Sequence, residues 1–412
     1  MPADDGHAAI AAGNGVAAPV SPWAIAALSF AAFASSASIR VCDALLPRLD
    51  ADFGVGLGSA AQVVTAFAVA YGLLQAFYGP LGDHFGKYRV IAWACGASVL
   101  TALGCALAPG FGTLVIARFF AGATAAAVIP LSMAWIGDAV PYEHRQPVLA
   151  RFLTGQIIGF AAGPFAGGFA ADHLDWRAPF VALAIWFALA CAMLLRVDRR
   201  QARISVAPAS EPARGVVRAL FAAFAYVLRR RWSRVVLATV FLEGAALFGP
   251  FAFLATHLHR TLGLSLSAAG GTLMLYGAGG LTFAAFSRTL VRGLGEPWLA
   301  AAGGGALCVA FLMLGLGTTW AGAMVGAFLA GLGFYMIHNT LQTNATQMAP
   351  ERRGASLALF ASCLFVGQSV GVAGASIVVE RFGTAPIIVG GGVALLVIAA
   401  SFGRRIATHR PR

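Results

Sequence analysis

Unbroken apolar stretches of about twenty residues limit this chain more than any other feature. Val90 to Ala108 and Ala385 to Phe402 run almost without polar interruption, and about 20 such residues are what a helix needs to cross a bilayer core. A membrane β-barrel would instead alternate apolar and polar residues over segments of about ten. The expected fold class is therefore all-α integral membrane. Reading along the chain places spans at 22–46, 59–81, 90–108, 113–137, 148–171, 178–195, 235–256, 267–287, 298–317, 320–347, 355–379 and 385–403. Composition agrees: of 412 residues 59% are hydrophobic and 11% charged, against roughly 25% charged in soluble domains.

The net charge of +12 raises the question of nucleic acid, which the position of the basic residues answers. With both termini placed on the cytoplasmic side, 22 of the 28 Lys and Arg fall in inner loops and tails, four (Arg48, Arg177, Arg260, Arg381) fall outside, and Arg40 and Arg118 lie within spans. This is the bias that orients inner-membrane proteins, and the excess faces anionic lipid, leaving no role for nucleic acid. Residues 1–21 lack a basic segment, contain Asp4 and Asp5, and read as a disordered cytoplasmic tail, with no cleavable signal expected. The six cysteines show no metal-ligand or disulfide spacing and read as small packing residues.

Two halves are expected, six helices over 22–196 and six over 235–403, with a linker at 197–234 and a tail at 404–412. In the linker Val217, Leu220, Phe221, Phe224 and Leu228 recur at helical spacing beside Arg214, Arg218 and Arg229 to Arg231, the pattern of an amphipathic helix on the inner membrane surface. The halves repeat weakly. Ala121-Gly122 returns as Ala330-Gly331 at an offset of 209, and so does Pro141 to Arg145 as Pro350 to Arg353. Gly155-Gln156-x-x-Gly159 returns as Gly367-Gln368-x-x-Gly371 at an offset of 212. Internal repeats of this kind are a mark of transporters.

Three motifs lie in the first half. Between spans two and three stands Gly79-Pro80-Leu81-Gly82-Asp83-His84-Phe85-Gly86-Lys87-Tyr88-Arg89, a tight inner turn with an acid and two cations. Span four carries Leu114-x-x-x-Arg118-x-x-x-Gly122, and an intramembrane arginine, costing about 2.5–3.5 kcal/mol on insertion scales, needs a partner, a cavity or a route to the outer surface. Span five contains Gly159-x-x-x-Gly163-Pro164-x-x-Gly167-Gly168. Gly155, Gly159, Gly163 and Gly167 leave one helical ridge bare for a neighbour, and Pro164 removes a backbone donor and bends the helix.

Together these motifs resemble those of the major facilitator superfamily, and the second and third resemble its twelve-span drug/proton antiporters. The resemblance implies alternating access, exchange rather than uptake, and a cytoplasmic gate made of Gly79, Asp83, Gly86, Lys87, Arg89 and Asp138, with Asp83, Arg89 and Asp138 mutually close. In the second half the matching loop, around Gly280 to Glu296, has decayed to scattered Gly and Arg.

The remaining candidates are polar groups inside spans. Asp43 lies three residues after Arg40 and four before Pro47, which resembles the coupling acid of proton-linked multidrug transporters; a local helix ion pair is the plainer alternative. Glu243 sits roughly 12 Å from the inner end of span seven at 1.5 Å per residue, and a carboxylate at that depth is functional by default. Proton coupling is thus expected of Asp43, Glu243, Arg118 and Arg40. His338, Asn339 and Gln342 share a face of span ten and, with Gln156, either line a substrate cavity or join helices.

The expected activity is proton-coupled export of small organic compounds by a monomer in the cell (inner) membrane, with protons as coupling ion and no other cofactor or metal. A proton-coupled importer of a metabolite shares the same features, and a membrane sensor would lack flux. No nucleophile and base set supports an enzyme.

Overall fold

The computed structural model describes residues 21–201 and 213–409. The N-terminal tail to residue 20, the linker centre and the last three residues lie outside the described residues, as do the side chains around Arg214.

Every regular element described is helical. The first half comprises α1 (Pro22–Arg40), α2 (Leu46–Phe53), α3 (Leu57–Ala60), α4 (Gln62–Phe85), α5 (Lys87–Ala106), α6 (Phe111–Ala125), α7 (Val128–Ala139), α8 (Tyr142–His173) and α9 (Ala178–Gln201). The linker helix α10 (Ala213–Arg229) leads into α11 (Arg231–Phe251), α12 (Leu254–Leu262), α13 (Leu266–Leu273), α14 (Leu275–Leu316), α15 (Trp320–Gln347), α16 (Arg353–Phe382) and α17 (Ala385–Thr408). Eleven runs are long and apolar enough to cross a membrane. One of them, Leu266–Leu316, has 51 residues, about 77 Å of helix against a core of about 30 Å. It turns back at Gly295, whose φ of 70° and ψ of 163° are not helical, and so supplies two crossings. Among the described residues this makes twelve crossings, an even number that brings the end of α17 back to the side where α1 begins.

That side carries Lys87, Arg89, Arg145, Arg230, Arg352 and Arg404, and is here termed the basic end. The buried apolar residues fall into two main clusters, one drawn chiefly from residues 24–194 and the other from 227–402. A few residues cross over: Phe253, Leu266 and Val372 join the first cluster and Ala44 the second.

These crossings mark where the halves touch. Asp172 on α8 accepts hydrogen bonds from the backbone N–H groups of Leu266 (3.2 Å) and Ser267 (2.6 Å) and from the Ser267 hydroxyl (2.6 Å). Glu380 on α16 accepts from the Ser59 hydroxyl at 3.4 Å, and Arg260 reaches Asp50 at 4.0 Å. Deeper in, a Cβ on Gly270 would lie 2.3 Å from the Pro164 carbonyl, and one on Gly72 would lie 2.9 Å from Phe365. The face of α8 that meets the second half through Pro164, Ala161 and Ile157 continues toward the basic end as Thr154 and Ala150, both exposed. The halves are thus joined at the end away from the charge excess.

Candidate transport site

Spans one and seven each carry a turn between two helical segments, as span four does at Ala126–Ala127. Helix α1 stops at Arg40 and resumes at Leu46 after five residues of turn; α11 stops at Phe251 and resumes at Leu254. Pro47 and Pro250 flank the two breaks, each removing a backbone donor. The unbroken first span expected over 22–46 is corrected by this interruption. Val41 and Leu45 at the first turn, and Ala252 and Phe253 at the second, keep right-handed helical dihedral angles, so the hydrogen-bond ladder loosens at these points without the chain leaving the helical region.

Arg40 and Asp43 meet at the first break, with Nη1 3.2 Å from Oδ2 and both side chains fully buried. Around the Arg40 guanidinium lie the faces of Phe160 (4.6 Å), Phe248 (4.2 Å) and Phe251 (4.6 Å). Phe160 belongs to the first half; Phe248 and Phe251 belong to the second. A desolvated cation over an aromatic face gains about 2 kcal/mol or more, so this box offsets part of the cost of burying the charge. Arg40 Nε and Nη2, Asp43 Oδ1 and the Tyr276 hydroxyl have no hydrogen-bond partner among the described residues.

Arg118 is settled differently. It is fully buried, Nε donates to the Val63 carbonyl at 3.2 Å, Nη2 donates to that of Ser38 at 3.0 Å, and the guanidinium covers Phe67 at 4.2 Å. It neither reaches the outer surface nor forms an ion pair with Asp43 in this conformation; it ties α6 to α1 and α4.

In the second half Glu243, fully buried, sits 3.0 Å from His338 Nδ1. The structure thereby joins two residues that the sequence suggested for different roles. His338 stacks on Phe334 at 4.7 Å, and Phe334 packs on Phe248 at 5.5 Å. Asp43, Arg40, Phe248, Phe334, His338 and Glu243 consequently form a continuous chain of contacts between the two buried carboxylates. Gln156 is half-buried with Oε1 unpartnered; its repeat counterpart Gln368 is buried with Nε2 unpartnered. Asn339 is half-buried, whereas Gln342 is exposed.

The glycine ridge of α8 seats α1 over four successive turns. A Cβ at Gly155, Gly159, Gly163 or Gly167 would come within 2.7, 2.3, 2.8 or 2.1 Å of the carbonyl oxygens of Ser29, Phe33, Ala37 and Val41. Gly168 instead abuts the Leu266 carbonyl of the other half, at 2.1 Å. Helix α8 continues through Pro164, which lies within it.

At the basic end Lys87 Nζ bridges Asp83 (2.9 Å) and Asp138 (2.6 Å), joining α4, α5 and α7. Two members of the expected trio, Asp83 and Asp138, are thus brought together, and Lys87 of the expected gate is the cation between them. Gly86 has a φ of 91°, which a side chain rarely adopts, so the turn requires glycine there. Gly79, on the helix before this turn, has open space around it.

The sequence matches the family description of the Major Facilitator Superfamily over residues 28–372. The chain belongs to that superfamily. It is 25% identical over 337 residues to the MFS-type transporter YceJ of Bacillus subtilis (strain 168), covering 79% of this chain and 82% of that one. The puromycin resistance protein pur8 of Streptomyces alboniger is 34% identical over 171 residues, 40% of this chain and 33% of its own. The multidrug export protein EmrB of Haemophilus influenzae is 29% identical over 150 residues, 36% of this chain and 29% of its own. The human organic anion transporter MFSD10 shares the fold, with a TM-score of 0.68 at 17% identity, covering 92% of this chain and 98% of that one. This protein is thus a multi-pass membrane transporter rather than an enzyme.

Phe160, Phe248, Tyr276 and Asp172 were not singled out by the sequence. Thirty phenylalanines in an apolar chain carry no signal of their own. Asp172 did carry one, as an acid at the end of an apolar helix.

Proposed function

We propose that the protein is a proton-coupled antiporter that exports small organic compounds by alternating access, with both termini and the basic end cytoplasmic. The observation that carries this reading is the fully buried Asp43, held at 3.2 Å by Arg40 among aromatic rings contributed by both halves. A carboxylate at such a seam changes surroundings whenever the halves rock. Its proton occupancy then follows the side to which it opens, because low dielectric disfavours the charged form and a nearby cation restores it. The names of pur8 and EmrB, a resistance protein and a multidrug exporter, favour export over uptake. Glu243 with His338 is the second candidate for carrying a proton.

Wild type, Asp43→Asn and Glu243→Gln can be reconstituted in liposomes with an internal pH dye and exposed to a panel of organic compounds. Antiport predicts compound-dependent proton flux in the wild type, lost in at least one variant that remains folded. Unchanged flux in both would overturn the assignment.

A further inference from the structure

We infer that the aromatic box around Arg40 is a binding site for a flat, charge-delocalised organic monocation, and that Arg40 is a tethered occupant competing with it. The inference deepens the efflux reading by naming a substrate class for the same centre. It starts from the difference between the two buried arginines. Arg118 also lies over rings and leaves Nη1 without a partner among the described residues, but its other two donor positions are fixed by directional hydrogen bonds to two carbonyls, the pattern of a structural residue. Arg40 leaves Nε and Nη2 without partners and is held by one carboxylate and three ring faces. Ring faces attract any cation of suitable size without prescribing hydrogen bonds.

The box selects charge sign as well. The three faces surround the guanidinium at 4.2 to 4.6 Å, with interplanar angles of 61° between Phe160 and Phe248 and 71° between Phe248 and Phe251. Aromatic faces are the negative ends of ring quadrupoles, so an anion placed there would meet three repelling walls and the Asp43 carboxylate.

The walls can also come apart. Phe160 and Asp43 belong to one half, and Phe248 and Phe251 to the other, so parting the halves at their joined end opens the box. Arg40 is the last residue of α1, next to the turn at 41–45, and can swing out while a transported cation takes its place beside Asp43. When no cation is bound, Arg40 refills the box and neutralises Asp43.

The test uses the purified full chain in detergent and three probes of matched shape: benzamidinium, benzoate and neutral benzamide. Calorimetry and melting temperature are measured for wild type, Arg40→Ala, and Arg40→Ala combined with Phe248→Leu. Removing the tethered competitor should tighten benzamidinium binding by about tenfold or more, and loss of one ring should reverse most of that gain. Benzoate and benzamide should gain nothing. Equal gains for benzoate or benzamide would mean an unselective cavity, and no gain for benzamidinium would mean that Arg40 is not its competitor; either overturns the inference. Should Arg40→Ala fail to stay folded, Arg40→Met fills the volume without charge and the same comparison applies. Cation binding can be present without proton flux, and proton flux without any gain in Arg40→Ala, so this inference and the antiport reading fail separately.

Discussion

Replacing Gly163 by alanine adds one methyl group at the point where α8, α1 and the Arg40 side chain converge. The new Cβ would lie 2.8 Å from the Ala37 carbonyl oxygen and 2.9 Å from Arg40 Cβ. Ordinary contact begins about 0.5 Å further out in so densely packed an interior. Neither neighbour is the loose end of a flexible chain, so backbone must shift. Overpacking of this kind costs about 1–3 kcal/mol, and the gain in helix propensity from Gly to Ala, about 1 kcal/mol at most, offsets only part of it. Because Arg40 Cβ is among the displaced atoms, the guanidinium should also lose its seating among the rings. Gly163→Ala is therefore expected to melt earlier in detergent and to transport poorly per folded molecule. Gly374→Ala, on α16 with open space around it, is the matched control and should melt at or slightly above the wild-type temperature. Equal melting of the two variants would refute the packing argument. Normal transport by the folded fraction of Gly163→Ala would refute the link to Arg40.

Asp43→Asn leaves Arg40 as a buried cation without its anion, a change that typically costs about 3–5 kcal/mol, and the double change with Arg40→Gln should recover most of the lost melting temperature. Glu243→Gln keeps a hydrogen-bonding group beside His338, so its stability should fall by less than about 1.5 kcal/mol while the pH dependence of transport changes. Gly86→Ala places a side chain at a φ of 91° and should destabilise by about 1–3 kcal/mol, read as a shifted melt. Lys87→Met breaks a largely exposed bridge worth about 0–1 kcal/mol, so melting should barely move. If the bridge serves as a gate, cysteine labelling from the two membrane sides should shift; unchanged labelling leaves a topology-setting turn.

The spans were legible because twenty apolar residues can do little else in water or lipid, although their limits were not: α8 runs Tyr142–His173 against an expected 148–171, and the expected 113–137 is divided between α6 and α7. The breaks in spans one and seven were not, since Val41 to Leu45 and Ala252 to Phe253 are as apolar as their flanks apart from Asp43; Pro47 and Pro250 were the only local hints. Asp43 with Arg40 was legible at three residues' separation. Glu243 with His338 was not, being 95 residues apart on different helices. The loop after span two announced its charges but not their partners: Lys87 and Arg89 are equally plausible on paper, and only the packing of α5 against α7 brings Lys87 to Asp138. Gly155 to Gly167 declared a close helix contact; that the partner is α1, carrying Arg40, follows only from the fold.

The claim at the centre of this account is exchange of a proton for an organic compound through Asp43. Its most direct measurement is uptake of labelled compounds, spanning cations, anions and neutral molecules, into inverted membrane vesicles under an imposed proton gradient. The account predicts accumulation of at least one compound, abolished when the gradient is collapsed and absent with Asp43→Asn. Accumulation that persists without the gradient and in Asp43→Asn, or movement of compounds only in the opposite direction, would contradict it.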